Sequence, residues 1–176
     1  MPADCEPPQK PAVVVMGVTG AGKTTAGRLL ARALGADFID GDDLHTDAAR
    51  AKMGSGVALD DSDRWPWLDR IAAALRERQS GPGAIVACSA LRRAYRDRLR
   101  AGVGPGLRFV YLEAEPEMMR ARVAGRRGHY MPASLVESQF ATLEPPDGEG
   151  DVVTLPADAD LATAIPELAA RLIGRG

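Results

Sequence analysis

Five consecutive apolar residues, AVVVM at 12–16, run straight into GVTGAGKTT at 17–25, and this junction constrains the chain more than any other stretch. The run is rich in β-branched residues and shows no polar alternation. That is the pattern of a strand covered on both faces, as in a parallel sheet. Residues 24–34 switch to helical periodicity, and Gly35 is placed to stop the helix. A buried strand, a glycine turn and a helix in that order point to an α/β fold.

The same alternation continues along the chain. Strands are expected at 36–40, 84–89, 107–114 and 152–155. Helices are expected at 66–79, with Pro66 in its first turn, at 91–101, from Pro116 onward, at 133–144 and at 160–173. The polar stretch 41–63 is irregular, with a short helix near 47–53. The expectation is one three-layer α/β/α domain over 11–176, around a parallel sheet of about five strands. Residues 1–10 read as a disordered tail, and 125–131 as a small basic lid.

Gly17, Gly22, Lys23 and Thr24 fit G-x-x-x-x-G-K-[ST], the Walker A pattern. Glycines let the backbone curl so that successive N–H groups point at one anion, and the helix that follows adds its positive end. The cradle comprises Gly17, Thr19, Gly20, Ala21, Gly22, Lys23, Thr24 and Thr25. Lys23 can reach β- and γ-phosphates, and the Thr24 hydroxyl can ligate Mg²⁺. These residue types predict a bound nucleoside triphosphate, ATP, with Mg²⁺.

The acceptor must come from other strand tips, because ligands of open α/β sheets gather at the carboxyl ends of the strands. IDGDDLH, at 39–45, follows the second strand. Asp40 is a candidate to hold the magnesium through water. Asp42 can take a proton from an attacking hydroxyl, or is a solvated loop carboxylate. His45 can hydrogen-bond a polyol, or is structural. Arg122 and Arg126 lie four apart on one helical face, and Arg126 and Arg127 open the basic loop. Such guanidinium groups suit a flap closing over a transferring phosphoryl group, although a solvated basic surface gives the same pattern.

Charge and cysteine content narrow the class. The net charge is −2, so nothing recommends nucleic acid or a membrane surface as partner. Of the 22 basic residues only three are Lys, so single arginines need positional arguments. Two cysteines, Cys5 in the tail and Cys88 at the end of an apolar run, suit a reducing cytoplasm. The N-terminal stretch lacks the apolar core of a signal peptide.

Several segments together resemble the gluconokinases of the small P-loop kinase type: VVVMGVTGAGKTT, FIDGDDLH, KMGSGVALDDSDRWPWL, ACSALRRAYRDRLR, FVYLEA and RRGHYMPASLVESQFATLEPP. The first says only P-loop; the later ones separate the chain from shikimate and adenylate kinases. The resemblance covers about residues 12–155. It implies a P-loop kinase fold with a lid, a homodimer, and ATP-dependent phosphorylation of D-gluconate at its 6-hydroxyl, giving 6-phosphogluconate and ADP. On that reading Lys23, Asp42 and Arg126 are catalytic, and Arg122 and Arg126 also contact the nucleotide. Asp42, His45, Arg64, Arg92 and His129 bind substrate, and Thr24 and Asp40 serve the metal. Arg64 is the first choice for the gluconate carboxylate or a nearby hydroxyl, with Arg50 and Lys52 weaker. Arg92 faces the site; Arg93 and Arg96 are solvated or paired with Asp97. Trp67, Met118, Met119 and Met131 read as packing, while Gln139 and Glu144 carry no assigned role. Arg stands at 92 and 93 where the family often has Lys, and Thr at 19 and 24 or 25 where it often has Ser. Rival readings are a kinase of another small hydroxy acid such as shikimate, and a nucleotide-binding regulatory module with no acceptor.

Overall fold

The computed structural model describes residues 10–125 and 133–174. Five strands form one sheet: β1 (Ala12–Met16), β2 (Asp37–Asp40), β3 (Ala84–Ala87), β4 (Leu107–Glu113) and β5 (Val152–Pro156). Their order is β2-β3-β1-β4-β5, and every pairing is parallel. The helices are α1 (Lys23–Leu34), α2 (Asp47–Gly54), α3 (Asp61–Gln79), α4 (Arg93–Val103), α5 (Pro116–Ala124), α6 (Ala133–Thr142) and α7 (Leu161–Ile173). A 3-10 turn, Gly41–Leu44, follows β2.

Strand pleating explains the unbroken apolar run at the start. Val14 and Met16 pack into a core with Leu68, Ile71 and Leu75 of α3 and Leu99 of α4. Val13 and Val15 face the other way, into a core with Leu30 of α1 and Ile165 and Leu168 of α7. Both faces of β1 are thereby covered, which is the three-layer arrangement the pattern requires. Each such aliphatic side chain contributes about 1.5–3 kcal/mol of burial.

Topology places the site. After β1 the chain leaves through α1 for β2; after β3 it leaves through α4 for β4 on the opposite side. Adjacent β1 and β3 are therefore where the winding reverses, and a crevice opens between their carboxyl ends. The Gly17 N–H, just past β1, donates to the Ser89 carbonyl, just past β3, at 3.3 Å.

One boundary differs from the sequence expectation. Helix α3 begins at Asp61, so Pro66 is inside it and not in its first turn. Proline there forgoes the bond to the Ser62 carbonyl. A reciprocal cap offsets the loss: the Asp63 N–H donates to the Asp60 carboxylate at 3.1 Å, and the Asp60 N–H to Asp63 at 2.9 Å. No helix among the described residues is long and apolar enough to cross a membrane.

Candidate active site

Residues 17–24 curl between β1 and α1. Gly22 caps the helix at φ 96°, a left-handed conformation that a side chain would strain. Within the loop, the Ala21 N–H donates to the Val18 carbonyl at 3.2 Å. The Lys23 ammonium donates to the same carbonyl at 2.9 Å. Burial pushes the Lys23 pKa below its ordinary value, while Asp42, Cys88 and Asp40 pull the other way. The cationic end of Lys23 is thus wrapped under the loop and close to the acidic tip of β2.

That tip is brought in by a close approach. A Cβ on Gly41 would lie 2.4 Å from the Ala87 carbonyl oxygen at the end of β3, so only glycine lets the two strand ends meet this closely. Asp40 accepts the Asp42 N–H at 3.1 Å and caps the 3-10 turn. The Trp67 indole N–H donates to the Gly41 carbonyl at 2.6 Å and fastens the turn to α3. A cavity of about 440 Å³ results, lined by Thr19, Gly20, Gly22, Lys23, Thr24, Thr25, Asp40, Asp42, Ala87, Cys88, Ser89 and Gln139. Burial pushes the Cys88 thiol up to about 12, so this wall is chemically quiet.

The Asp42 side chain is 87% exposed and stands 3.9 Å from His45 Nε2. His45 itself is buried, stacked on Trp67 with ring centroids 4.3 Å apart. Its Nδ1 is buried with no hydrogen-bond partner among the described residues. Desolvation lowers its pKa against the opposing pull of Asp42, with Arg50 and Arg64 lowering it further, so the ring is neutral at pH 7. An orphaned polar atom of this kind costs about 1–3 kcal/mol and is kept where it serves a ligand or a special geometry.

A second group lies on α3 and α4. Arg64 donates to the Tyr95 hydroxyl at 3.2 Å, and that hydroxyl donates to Asp61 at 2.6 Å. Arg64 and Arg92 stand 3.7 and 3.6 Å from the Asp61 carboxylate, and both guanidinium groups lie over the Tyr95 ring. Two cations against one carboxylate leave a net positive group with partly exposed donors. Arg122 ties the glycine loop to the segment after β5, donating to the Gly20 carbonyl at 3.2 Å and the Ala157 carbonyl at 2.9 Å.

Other sequence candidates are engaged elsewhere. Lys52 pairs with Asp63 at 2.5 Å and Asp60 at 3.1 Å, inside the cap of α3. Arg50 donates to the carbonyls of His45 and Asp43, bracing the acidic turn from outside. Arg96 is neither solvated nor paired with Asp97. It is fully buried and paired with Glu149 at 2.6 Å; Asp97 pairs with Arg100 and, at 3.9 Å, Arg93. The sequence shows a cation four residues after Arg92 but not that Glu149, 53 residues on, reaches it. Trp67 and Met119 are buried as expected, and Met118 packs at the core margin. Arg126, Arg127, His129 and Met131 lie outside the described residues, as does most of the 125–131 segment.

Some neighbours went unassigned in the sequence. Cys88 and Ser89 are at a strand tip, where the crevice rule would have found them. Tyr95 sits three residues after Arg92, one helical turn on, and that spacing was a usable signal. Asp61 offered none beyond its place in an acidic run. Gln139 receives the Thr19 N–H at 2.5 Å, and the Glu144 carboxylate receives the Arg93 N–H at the start of α4 at 2.7 Å.

A parallel sheet in this order, with an anion-cradling loop after β1 and carboxylates at the tip of β2, defines a P-loop kinase. A family model described as an AAA domain matches residues 13–146. The chain is 43% identical over 157 residues to a gluconokinase of Gluconobacter oxydans, covering 89% of this chain and 88% of that protein. It is 43% identical over 152 residues to the thermosensitive gluconokinase of Escherichia coli, covering 85% and 80%. The crystal structure of a gluconokinase from Sinorhizobium meliloti superposes with a TM-score of 0.79 at 41% identity, covering 96% and 94%. The chain belongs to the gluconokinase family.

Proposed function

We propose that this chain transfers the γ-phosphoryl group of ATP to the 6-hydroxyl of D-gluconate. The single observation that carries the reading is the shared cavity, which brings the Lys23–Thr24 end of the phosphate loop and the Asp40–Asp42 carboxylates against one space. The family relationship supplies the acceptor.

The transfer is direct and in line. The 6-oxygen forms a bond to the γ-phosphorus as the bond to the β,γ-bridging oxygen breaks, releasing ADP. Asp42 orients the hydroxyl and takes its proton, which leaves to solvent. Lys23 and the backbone N–H groups of Gly20, Gly22 and Thr24 neutralise charge on the phosphate oxygens. Arg126, outside the described residues, is assigned the same work from the lid at about 125–131, with Arg122 bracing the loop beneath it. His45 is read as a hydrogen-bond partner for the sugar hydroxyls through Nε2, the nitrogen turned toward Asp42. Arg64 and Arg92, gathered at Asp61 and Tyr95, are read as the seat of the carboxylate, and His129 as a further substrate contact. The donor set fits Mg²⁺: the Thr24 hydroxyl and the Asp40 carboxylate share the cavity, and phosphate oxygens complete an all-oxygen shell of the kind that ion requires. When bound, Mg²⁺ screens the β- and γ-phosphates and fixes their orientation.

The reading takes residues 11–176 as one catalytic domain acting in the cytoplasm, where ATP is at hand, as a homodimer on family grounds. Light scattering on the purified chain tests the dimer. Coupled ADP release over a panel of sugar acids, shikimate and nucleoside monophosphates tests the acceptor. Stimulation by gluconate above the other acids is expected. Stimulation by shikimate instead, or release indifferent to every acceptor, overturns the assignment.

A further inference from the structure

Gln139 occupies a position that the kinase reading above does not use. It stands on α6, the helix that follows the lid segment, and its side chain lines the phosphate cavity beside Thr19, Lys23 and Asp42. The Thr19 backbone N–H points at the Gln139 side-chain oxygen, 2.5 Å away. A backbone N–H can only donate, so the atom facing it must be Oε1 and not Nε2. The orientation of the amide is thereby fixed by chemistry: Nε2 and its two hydrogens are turned away from Thr19. Nε2 makes no hydrogen bond to any described residue, while the side chain borders the cavity.

The location along the triphosphate follows from Lys23. Its ammonium is on the Val18 carbonyl, the residue adjacent to Thr19. A P-loop lysine serves the β- and γ-phosphates, so a donor anchored at Thr19 lies at the terminal end of the chain of phosphates. The helix beneath it is tied to α5 and to the segment before α4. Arg120 pairs with Glu137 at 2.6 Å, the Leu143 N–H bonds the Gln139 carbonyl at 2.9 Å, and the Glu144 N–H bonds Leu91 at 2.8 Å. A donor held this way needs little reorganisation when charge develops before it.

We propose that Gln139 is a catalytic residue whose Nε2 donates a hydrogen bond to the transferring γ-phosphoryl group, with Thr19 serving as the clamp that aims it. The proposal rests on the kinase reading above and adds a neutral, non-lid donor to it. It differs from a structural role, in which Gln139 would only hold the loop.

Two variants and two readouts separate these roles. Gln139→Glu keeps the oxygen that accepts from Thr19 but removes the donor; Gln139→Met keeps the length and removes both. Affinity for ADP and for ADP–aluminium fluoride, a mimic of the transferring phosphoryl group, is measured by calorimetry with Mg²⁺. Turnover is measured with gluconate. A donor to developing charge is worth about 100-fold in turnover. Both variants are therefore expected to lose at least roughly 100-fold in kcat; in Gln139→Met, which adds no charge, ADP affinity should change less than about twofold and ADP–aluminium fluoride affinity should weaken in step with kcat. Rescue of kcat by Gln139→Glu to within about threefold of the parent, or equal weakening of ADP and its fluoride complex in Gln139→Met, overturns the proposal. The fluoride measurement needs no acceptor, so it stands or falls separately from the gluconate assignment, which the unmodified enzyme's acceptor dependence tests.

Discussion

Replacing Glu149 with Gln isolates a charge inside the protein, and the cost can be worked from the geometry. Arg96 is fully buried and uses all five of its N–H groups. Nε donates to Glu149 at 2.9 Å; Nη1 donates to the Ala90 and Leu91 carbonyls at 3.0 and 3.2 Å. Nη2 donates to the Glu144 carbonyl at 3.0 Å and to Glu149 at 2.6 Å. Arg100 adds a second cation on the same carboxylate at 2.5 Å. Hydrogen bonds from Arg96, with those from Arg100, outweigh burial and hold the Glu149 carboxyl at about 2, against an ordinary 4.5. That difference corresponds to roughly 3 kcal/mol of folding stability. Breaking a buried ion pair by removing one partner costs about 3–5 kcal/mol, which agrees. A chain of this size loses about 2–4 °C of Tm per kcal/mol. Glu149→Gln should therefore melt about 6–12 °C below the parent at pH 7.

The pH dependence has a defined sign. The folded-state pKa is depressed, so the stabilisation is complete above the unfolded value near 4.5 and is lost as pH falls through about 2. Melting curves collected from pH 7 to pH 2.5 should show the parent and the variant converging across that window. A variant melting within about 2 °C of the parent at pH 7, or a gap that stays constant down to pH 2.5, refutes the reasoning.

Three further outcomes follow from the site. Asp42→Asn should lower kcat with gluconate by about 100-fold or more while the ADP dissociation constant, by calorimetry, changes less than about twofold; unaltered turnover removes Asp42 from proton transfer. Gly41→Ala forces a methyl group against the Ala87 carbonyl, so it should cost about 1–3 kcal/mol in thermal melts and raise the KM for gluconate, and a silent substitution contradicts the close approach. Cys88, buried and with its thiol raised to about 12, should resist iodoacetamide at pH 8 in the native protein and react in guanidinium, as read by mass spectrometry of its peptide; native labelling shows that the wall opens.

Local signals in the sequence carried much of the fold. The apolar run at β1, the glycines of the loop and the switch to helical spacing each report on neighbours in the chain, and each element found its place. The start of α3 is not legible in the sequence, because Pro66 has the pattern of a first-turn residue although the helix begins at Asp61. The reciprocal cap at Asp60 and Asp63, which allows the helix to begin earlier, lies in an acidic run with no apolar period to expose it. Side-chain partners far apart in sequence were harder still. Glu149 against Arg96 and Gln139 against Thr19 meet only after the sheet has brought α4, α6 and the glycine loop together. The same blindness applies to Ala90. It adopts φ 44°, unusual for a residue with a side chain, and its carbonyl is held by Arg96.

The indole of Trp67 that grips the Gly41 carbonyl joins the tip of β2 and the first half of α3 into a single block. Asp42, His45 and Arg64 belong to that block, whereas Lys23, Thr24 and Arg122 do not. A change of acceptor on such a scaffold would therefore be sought first between Asp42 and Arg64, with Arg92 of the neighbouring helix start as its one described partner outside that stretch.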